Sequence, residues 1–356
     1  MRIGAVLCAI TAAVTLAGAA VVPAQAMSHE GTGQAAQGPI WSTVGTHTTN
    51  CPSTVHVLTP NKSADYFAQN PDDLLVAGGF QAGGAATTRL LHDAAARHMH
   101  WLPAMTCKPG QPGKPAPRRT SVTYNGSPNW SGYVTSQSYG YIGATMEWYV
   151  NGVSANADSD AHVSTWPGVG TGDSTADTLV QAGTDQEADC YQPCSSSAVT
   201  PWFELYPQES EQDITNLAVA AGDLVGVIVE YDPASQSAYF EEDDLTTSYG
   251  VYFYQDLTGD VVGSGSQAEW IVERPTECLL GCEYSQLANF STEYIFYAQA
   301  ASGDWSDPYY SQMGDDDSSE VDMTSCDGGT VLASPTLEDS QDFTVTWQNQ
   351  GVIEHC

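Results

Sequence analysis

Residues 121–356 are predicted to form an all-β domain, a sandwich or a barrel. Helical periodicity is almost absent from this part of the chain, and short alternating or apolar runs are separated by clusters of Gly, Asp, Ser and Pro. Many short strands with turn signals between them are typical of these folds. In the run 224–231, Val225, Val227 and Val229 fall on one face of a strand, so we expect them to supply the core.

The chain begins with the layout of a secretory signal peptide, predicted to span residues 1–26. Arg2 precedes an apolar run over residues 3–22, and Ala24-Gln25-Ala26 supplies small residues for cleavage. No later stretch is long and apolar enough to span a bilayer. We therefore expect cleavage after Ala26, secretion, no membrane partner, and a compartment that permits disulfides.

Charge divides the rest of the chain near residue 120. The chain has 9 basic and 43 acidic side chains, and its formal net charge is −34. Eight basic and five acidic residues precede residue 121, a balance of +3, which leaves −37 for residues 121–356. A step this sharp predicts a basic propeptide over residues 27–120 and an acidic domain over residues 121–356. The charge of the acidic domain excludes nucleic acid as a partner and favours acid conditions.

The predicted propeptide ends in a basic linker rich in Pro and Gly, residues 108–119. Linkers of this composition are exposed and extended, and proteases cut them. Opposite charges would attract the segment to the acidic domain near neutral pH, and carboxylate protonation would weaken that attraction in acid. The segment is thus predicted to inhibit its own domain until acidified. Two alternatives stay open: a segment that only assists folding, and a permanent basic domain.

Cysteine usage fits a secreted protein. Cys51 and Cys107 can pair within residues 27–120, and the acidic domain has an even number of cysteines. The disulfide candidates there, in sequence-local pairs, are Cys190 with Cys194, Cys278 with Cys282, and Cys326 with Cys356. Zinc binding by the two C-x-x-x-C pairs is an alternative that the oxidising compartment disfavours. The acidic run 314–317 could bind calcium, but a solvated loop is favoured, and we expect no metal.

The stretch 268–273 has the alternation of a strand with two different faces. One face carries Ala268, Trp270 and Val272, and the other carries Glu269, Ile271 and Glu273. Two carboxylates on one face of an otherwise apolar strand indicate either a cleft or an ordinary solvated face.

Three other stretches repeat this pattern. The side chains that share a face are Leu179 with Gln181, then Trp202 with Glu204 and Tyr206, and then Asn129 with Ser131 and Tyr133. A face built of Gln, Glu, Trp and Tyr can line a cleft for an extended polymer, either peptide or glycan. The alternative is a wet outer face.

The acidic domain lacks the residues of several catalytic classes. It contains no Lys, and its His residues are His162 and His355. No G-x-S-x-G elbow, H-E-x-x-H zinc motif, P-loop or dinucleotide fingerprint occurs. A Ser-His-Asp triad would therefore have to use one of these two histidines; His355 is next to the C-terminus, and His162 has no flanking signature.

Five motifs occur in one order over roughly residues 125–300: N-W-S-G, W-x-G, L-V-Q-A-G-T-D, P-W-F-E-L-Y-P and A-E-W-I-V-E. In this order they resemble the eqolisins, the glutamic peptidase family of secreted acid proteases. The resemblance implies a sandwich of two curved antiparallel sheets, of the concanavalin or jelly-roll kind, with the catalytic pair on the concave face.

Carried over residue by residue, the resemblance implies that Gln181 and Glu273 are catalytic. Other residues are predicted to bind the substrate, either because they match the family's motifs or because they share a strand face with those that do. They are Trp166, Gly168, Asp185, Trp202, Glu204, Tyr206 and Glu269. The sequence departs from the family where Gly170 and Thr200 replace aspartates and where Pro167 interrupts the W-x-G motif. These departures leave the catalytic pair intact but leave substrate preference and the pH optimum open.

We therefore predict a secreted, monomeric, pepstatin-insensitive acid endopeptidase that acts on proteins or peptides without a cofactor. Glu273 would activate the attacking water, and Gln181 would stabilise the oxyanion at every pH because its amide does not titrate. Two other classes stay open. A glycoside hydrolase would use Glu273 with Glu204 or Glu269 as its carboxylate pair, and a non-catalytic binding module would need only the aromatic cleft.

Overall fold

The structure is a computed structural model, and it describes thirteen parts of the chain. They are residues 41–43, 48–71, 94–110, 126–136, 140–170, 178–191, 194–196, 199–232, 235–257, 265–277, 283–304, 307–315 and 318–356. The predicted signal peptide, most of the linker, Cys278 and Cys282 lie outside the described residues.

The described residues form mostly strands. In chain order the first elements are β1 (Trp41–Thr43), β2 (Thr48–Thr49), β3 (Val55–Pro60), α1 (Ala64–Gln69), β4 (His100–Trp101), β5 (Met105–Pro109), β6 (Trp130–Ser136), β7 (Tyr141–Tyr149), β8 (Asp160–Gly170), β9 (Leu179–Asp189), β10 (Ser195–Ser196), β11 (Thr200–Tyr206), β12 (Gln212–Ile214) and β13 (Leu224–Asp232). They are followed by β14 (Ser237–Asp244), β15 (Tyr249–Asp256), β16 (Gln267–Glu273), β17 (Thr276–Glu277), β18 (Glu283–Tyr284), β19 (Gln286–Leu287), β20 (Thr292–Asp304), β21 (Asp307–Gln312), the 3₁₀ turn Met313–Asp315, β22 (Ser318–Val321), β23 (Met323–Thr324), β24 (Val331–Leu337) and β25 (Phe343–Trp347).

Within the described residues, these strands form two large sheets and one small hairpin. Sheet I has twelve strands in the order β1-β3-β15-β14-β13-β7-β20-β25-β24-β23, with β21 beside β20 and β4 beside β15. Sheet II has eleven strands in the order β2-β5-β12-β11-β9-β8-β16-β6-β22, with β10 beside β9 and β19 beside β8. Almost all pairings are antiparallel, and β17 pairs with β18 alone.

The hydrophobic core lies between the two sheets. Val225, Val227 and Val229 of β13 in sheet I belong to the same buried cluster as Trp270 and Val272 of β16 in sheet II. Alternation explains both contributions, because every second side chain of each strand points inward. The predicted all-β sandwich and its core residues on β13 are confirmed.

The described part of residues 41–110 is built into the sandwich. Strand β3 pairs with β15 at the edge of sheet I, and β5 pairs with β12 in sheet II. Val55, Val57 and Met105 have no solvent exposure and belong to the main core. The division into a propeptide and a peptidase domain concerns processing and stays a prediction, but the core extends across it.

The structure contains three disulfides among the described cysteines. They join Cys51 to Cys107, Cys190 to Cys194, and Cys326 to Cys356. In the described residues, no group of three or more His, Cys, Asp or Glu side chains is arranged to hold a metal ion. No described helix has the length and apolar character needed to cross a membrane.

Several carboxyl groups are buried in the sandwich beside neutral partners. Glu230 accepts a hydrogen bond from the Tyr310 hydroxyl (2.8 Å), and Glu293 accepts one from Thr165 Oγ1 (3.0 Å). Burial nevertheless raises the pKa of each of these two glutamates to about 8. Burial raises the pKa of Glu241 to about 7 and that of Glu242 well above its usual value.

These raised values predict that the fold is most stable in acid. A folded-state pKa above the unfolded one means that the folded chain binds more protons, so stability falls as pH rises towards the folded pKa. For one such group the loss is about 1.4 kcal/mol per pH unit, present between its ordinary pKa of about 4.3 and the raised value. The free energy of unfolding, measured by denaturant titration, should therefore decrease steadily from about pH 4.5 to 7.5.

Glu293→Gln isolates one contribution. This variant keeps an acceptor for Thr165 but removes the titration, so its stability should fall less steeply with pH than that of the wild type. Glu338→Gln, at an exposed position, is the control and should keep the wild-type slope. Equal slopes in all three proteins would contradict the assignment of a raised pKa to Glu293.

Candidate active site

All the predicted catalytic and substrate-binding residues lie on four adjacent strands of sheet II, β16, β8, β9 and β11. Strand by strand these residues are Glu269 and Glu273, then Trp166 and Gly168, then Gln181 and Asp185, and then Trp202, Glu204 and Tyr206. Their shared face is the one opposite the core. It also carries a separate buried cluster that includes Trp130, Leu179 and Ile271.

The strand register arranges this face in rows. One row runs Glu269, Gly168, Gln181, Glu204, and another runs Glu273, Ser164, Asp185, Thr200. Gln181 and Glu273 are therefore two strands apart, with β8 between them, and belong to different rows.

Glu273 is held by donors on both carboxylate oxygens. Asn129 Nδ2 donates to Oε1 and Trp166 Nε1 donates to Oε2, each at 2.7 Å. Asn129 Oδ1 accepts from Ser127 Oγ at 3.1 Å, which orients the amide with its nitrogen towards Glu273. An indole can only donate, so Oε2 acts as an acceptor.

Two opposing effects set the protonation of Glu273. Burial raises its pKa to about 8, while the hydrogen bonds from Trp166 and Asn129 favour the charged form and lower it. In acid the protonated form therefore prevails, and the two donors reduce the cost of the ionised form. Neutral hydrogen-bond donors support that charge, whereas nearby Glu204 raises the pKa of Glu273 further.

Gln181 is 7% exposed, and its side chain makes a hydrogen bond through the amide nitrogen. Its Nε2 donates to Glu204 Oε2 at 2.5 Å. A primary amide has two N–H groups, so one remains for another acceptor. Its Oε1 is buried and has no hydrogen-bond partner among the described residues. The side chain can thus offer both a donor and an acceptor to a bound molecule.

Carboxyl groups beside Gln181 also favour their neutral forms. Burial raises the pKa of Glu204 to about 7, against the hydrogen bond from Gln181, and nearby Asp185 raises it further. Burial raises the pKa of Asp185 to about 6, and a hydrogen bond with Ser164 opposes that shift. The cleft is therefore close to neutral in acid despite its many carboxyl groups.

One sequence prediction about this face is wrong. Asn129, Ser131 and Tyr133 were predicted to share a face that either lines a cleft or is a wet outer face, but β6 begins at Trp130, and the face that carries Ser131 and Tyr133 is the core face. Tyr133 packs in the core against Phe343, with ring centroids 5.0 Å apart, and Trp130 packs on the cleft side against Trp166 at 5.2 Å. Asn129 reaches Glu273 because it precedes the strand and does not follow its alternation.

Sequence reasoning also missed the acids that follow β11. Strand β12 returns beside β11, with Asp213 paired to Trp202, and Glu211 just before it couples electrostatically to Asp185, Glu204 and Glu273. Recognising the hairpin 207–211 as a turn would have placed both acids beside Glu204.

Solved structures with a similar fold are glutamic peptidases. Scytalido-glutamic peptidase, crystallised with a transition-state-analogue inhibitor, aligns with a TM-score of 0.51 and 18% identity over 62% of this chain and 99% of its own. This likeness shows the fold. SCP-B of the eqolisin family gives a TM-score of 0.49 at 16% identity over 62% of this chain and 99% of its own. The aspergilloglutamic peptidase of Aspergillus niger gives 0.42 at 25% identity over 53% of this chain and 99% of its own.

Sequence comparison gives the family directly. No curated protein sequence matches the chain. The sequence model of the Peptidase A4 family, however, matches residues 128–347, which is more than half of the chain and includes every residue of the two rows described above. The chain therefore belongs to the Peptidase A4 family, the eqolisins, and is a peptidase of the glutamic type.

Proposed function

We propose that the protein is a secreted acid endopeptidase in which Glu273 and Gln181 form the catalytic dyad. The observation that carries the proposal is the pair of N–H donors that hold the Glu273 carboxylate on the same sheet face as Gln181. The amide of Gln181 meanwhile keeps a donor and an acceptor for substrate or water. Family membership disfavours the glycoside hydrolase and binding-module alternatives.

In the proposed reaction, the ionised form of Glu273 takes a proton from water as the water attacks the peptide carbonyl carbon. Gln181 accepts a hydrogen bond from that water through Oε1 and donates from Nε2 to the developing oxyanion. Glu273 then gives the proton to the departing amine, and the C–N bond breaks. The protein groups alone complete this cycle, and no cofactor is required.

The aromatic part of the same face would bind the substrate. Trp202 and Tyr206 lie on β11, two residues on either side of Glu204, which pairs with Gln181. Trp166 lies on β8, between the strands that carry Gln181 and Glu273. Tyr206, which is partly exposed, can pack against an extended peptide, and the buried Trp166 and Trp202 support this part of the face from beneath. A solved relative with the same fold was crystallised with a peptide-based transition-state analogue, which supports a peptide substrate here.

The remaining features of the proposal rest on the sequence. We propose that the protein is exported by the signal peptide 1–26, that the chain is cleaved near the end of the linker 108–119, and that the enzyme is a monomer. Pepstatin should not inhibit it, since the proposed catalytic pair is a glutamate and a glutamine.

Glu273→Gln should abolish peptide hydrolysis while the domain stays folded, because the amide cannot take a proton from water. Casein digestion at pH 3 to 5 measures this, with circular dichroism to confirm folding. Glu269→Gln is the matched control on the same strand and should retain clearly more activity. Because Glu269, not Glu273, shares the row of Gln181, the pair also tests the assignment: an essential Glu269 and a dispensable Glu273 would overturn it.

Gln181→Ala should lower kcat by about 10²–10³-fold, the usual effect of losing one oxyanion donor. Gln181→Glu should also fail, because a carboxyl beside Glu204 replaces a neutral donor with a group that titrates. Steady-state kinetics on a fluorogenic peptide measure both variants. Wild-type turnover in Gln181→Glu would refute the proposed role of the amide.

Trp166→Phe should move the acid limb of the pH–activity profile to higher pH. The indole N–H favours ionised Glu273, so its loss raises the pKa further and leaves less base at any acid pH. Trp202→Phe is the control, because that indole bonds to Ser164 Oγ at 3.2 Å instead, and its acid limb should stay in place. Profiles of kcat/KM between about pH 3 and 9, a range that includes the raised pKa of Glu273, measure the shift, and an unmoved limb in Trp166→Phe would count against the proposal.

A further inference from the structure

A chain of contacts leads from Gln181 to Glu211, a residue without a role in the proposed reaction. Gln181 Nε2 donates to Glu204, and the backbone N–H of Glu211 donates to the same Glu204 carboxylate. The Glu211 side chain hydrogen-bonds with the carboxyl groups of Asp185 and Asp213. Glu211 therefore contacts β9, the strand that carries Gln181, and the neighbouring strand β11, which carries Glu204.

Hydrogen bonds between carboxyl groups require a proton on one partner. Burial, followed by the nearby charges of Asp185 and Glu204, raises the pKa of Glu211 well above its usual value. Glu211 thus keeps its proton, and its single O–H can donate to one of the two aspartates, while its other oxygen accepts from the second when that one is protonated. Ionisation of Glu211 would replace these bonds with repulsion among neighbouring carboxylates.

The described part of residues 41–110, here called the N-terminal segment, packs against Glu211. Strand β5 pairs with β12 in register, and the Gly110 N–H donates to the Glu211 carbonyl at 2.9 Å. A Cβ on Gly110 would lie 2.3 Å from Glu211 Oε1 and 3.0 Å from Asp213 Oδ1. Lys108 Nζ is 3.8 Å from Asp213 Oδ2. The absence of a side chain at residue 110 is what lets the backbone pack on the Glu211 carboxyl.

The same segment is anchored elsewhere in the sandwich. Val55, Val57 and Met105 are fully buried in the main core, so removal of the segment would expose that core to water. Trp101 Nε1 donates to buried Glu241 at 3.0 Å. These contacts are those of a permanent part of the fold.

We propose, on the basis of the proposed function, that Glu211 is a positioning residue for Gln181 and that the N-terminal segment completes the active site by enclosing Glu211. The segment stays bound after the linker is cut. The active enzyme is then the complex of the segment and the acidic domain.

The pH dependence of this docking follows from the groups around Glu211. They are Glu204 on β11, Asp185 on β9, Asp213 on β12, Lys108 on β5, Glu273 on β16, and His162 on β8, which faces Asp185. Enclosure raises the pKa of Glu211, so docking takes up a proton and is strengthened in acid. The exposed Lys108 contributes little in the opposite sense. Docking that becomes stronger in acid is the opposite of the release in acid that net charge predicts.

Variants at Glu211 test positioning in the full chain. Glu211→Leu should lower kcat at least tenfold with KM little changed, because the amide of Gln181 loses its support. Glu211→Gln restores a neutral donor, so it should recover acid activity and keep it to higher pH than the wild type. Failure of the Gln variant to recover activity, or a pH profile equal to that of the wild type, would overturn the positioning role.

Gly110→Ala tests the contribution of the segment without altering the acidic domain. The added methyl group must displace the Glu211 carboxyl, so kcat should fall and the alkaline limb should move to lower pH. Gly152→Ala is the matched control, since a Cβ there meets nothing within 4 Å, and it should behave as the wild type. Equal kinetics in both glycine variants would refute enclosure by Gly110.

Docking itself can be measured on protein activated in acid. Size-exclusion chromatography at pH 3.5, under non-reducing conditions, should elute the cleaved segment together with the acidic domain in an active complex. A fully active domain free of the segment, or a complex that becomes active only when the segment leaves, would overturn the inference. If Gln181→Ala proved fully active, the proposed function would fail instead, which keeps the two outcomes apart.

Discussion

Protonation of buried carboxyl groups is the constraint on which the rest of the structure depends. Arg274 is the only basic residue after residue 119, and it is bound to Glu354 (3.0 Å) and to the backbone carbonyls of Pro128 and Val352. No lysine or arginine of the acidic domain remains to neutralise the buried glutamates. Transfer of an unpaired charge to the interior is very costly, so the proton takes the place of a counterion. Glu242 shows this most plainly, since neither of its buried carboxylate oxygens has a hydrogen-bond partner among the described residues.

The same constraint accounts for the composition of the active site. Raised pKa values at Glu204, Asp185 and Glu273 make the cleft nearly neutral in acid, so a carbonyl oxygen that develops negative charge meets little repulsion. A glutamine at position 181 provides a donor whose charge does not vary with pH. Stability thus depends on acid conditions, where these carboxyl groups keep their protons, while the proposed catalysis uses the ionised fraction of Glu273.

Much of this could be read from the sequence, and the failures have physical causes. Alternation gave the faces of β13, β16 and β11 correctly because these strands are regular and one face of each packs into the main core. Alternation grouped Ser131 with Tyr133 on β6 correctly, but it does not say which face of a strand is buried, and Asn129 precedes the strand. The position of Glu211 depends on a turn that brings β12 beside β11, which periodicity does not describe.

The extent of the sandwich was harder still to predict from the sequence. The step in net charge near residue 120 reflects surface composition, whereas the core depends on apolar side chains such as Val55, Val57 and Met105, which carry no charge. A charge boundary therefore need not coincide with a packing boundary. Edge strands such as β3 and β5 also form by pairing with distant parts of the chain, and local sequence does not specify the partner.

The central claim is that the folded chain holds protons that the unfolded chain releases. Potentiometric titration of native and guanidinium-denatured protein measures this difference directly. Five carboxyl groups, those of Glu204, Glu230, Glu241, Glu273 and Glu293, have raised pKa values of about 7 or 8. At pH 6 the native protein should therefore bind at least about five more protons than the denatured protein, whose glutamates titrate near 4.3. Equal proton binding in the two states, or less in the native one, would contradict the account.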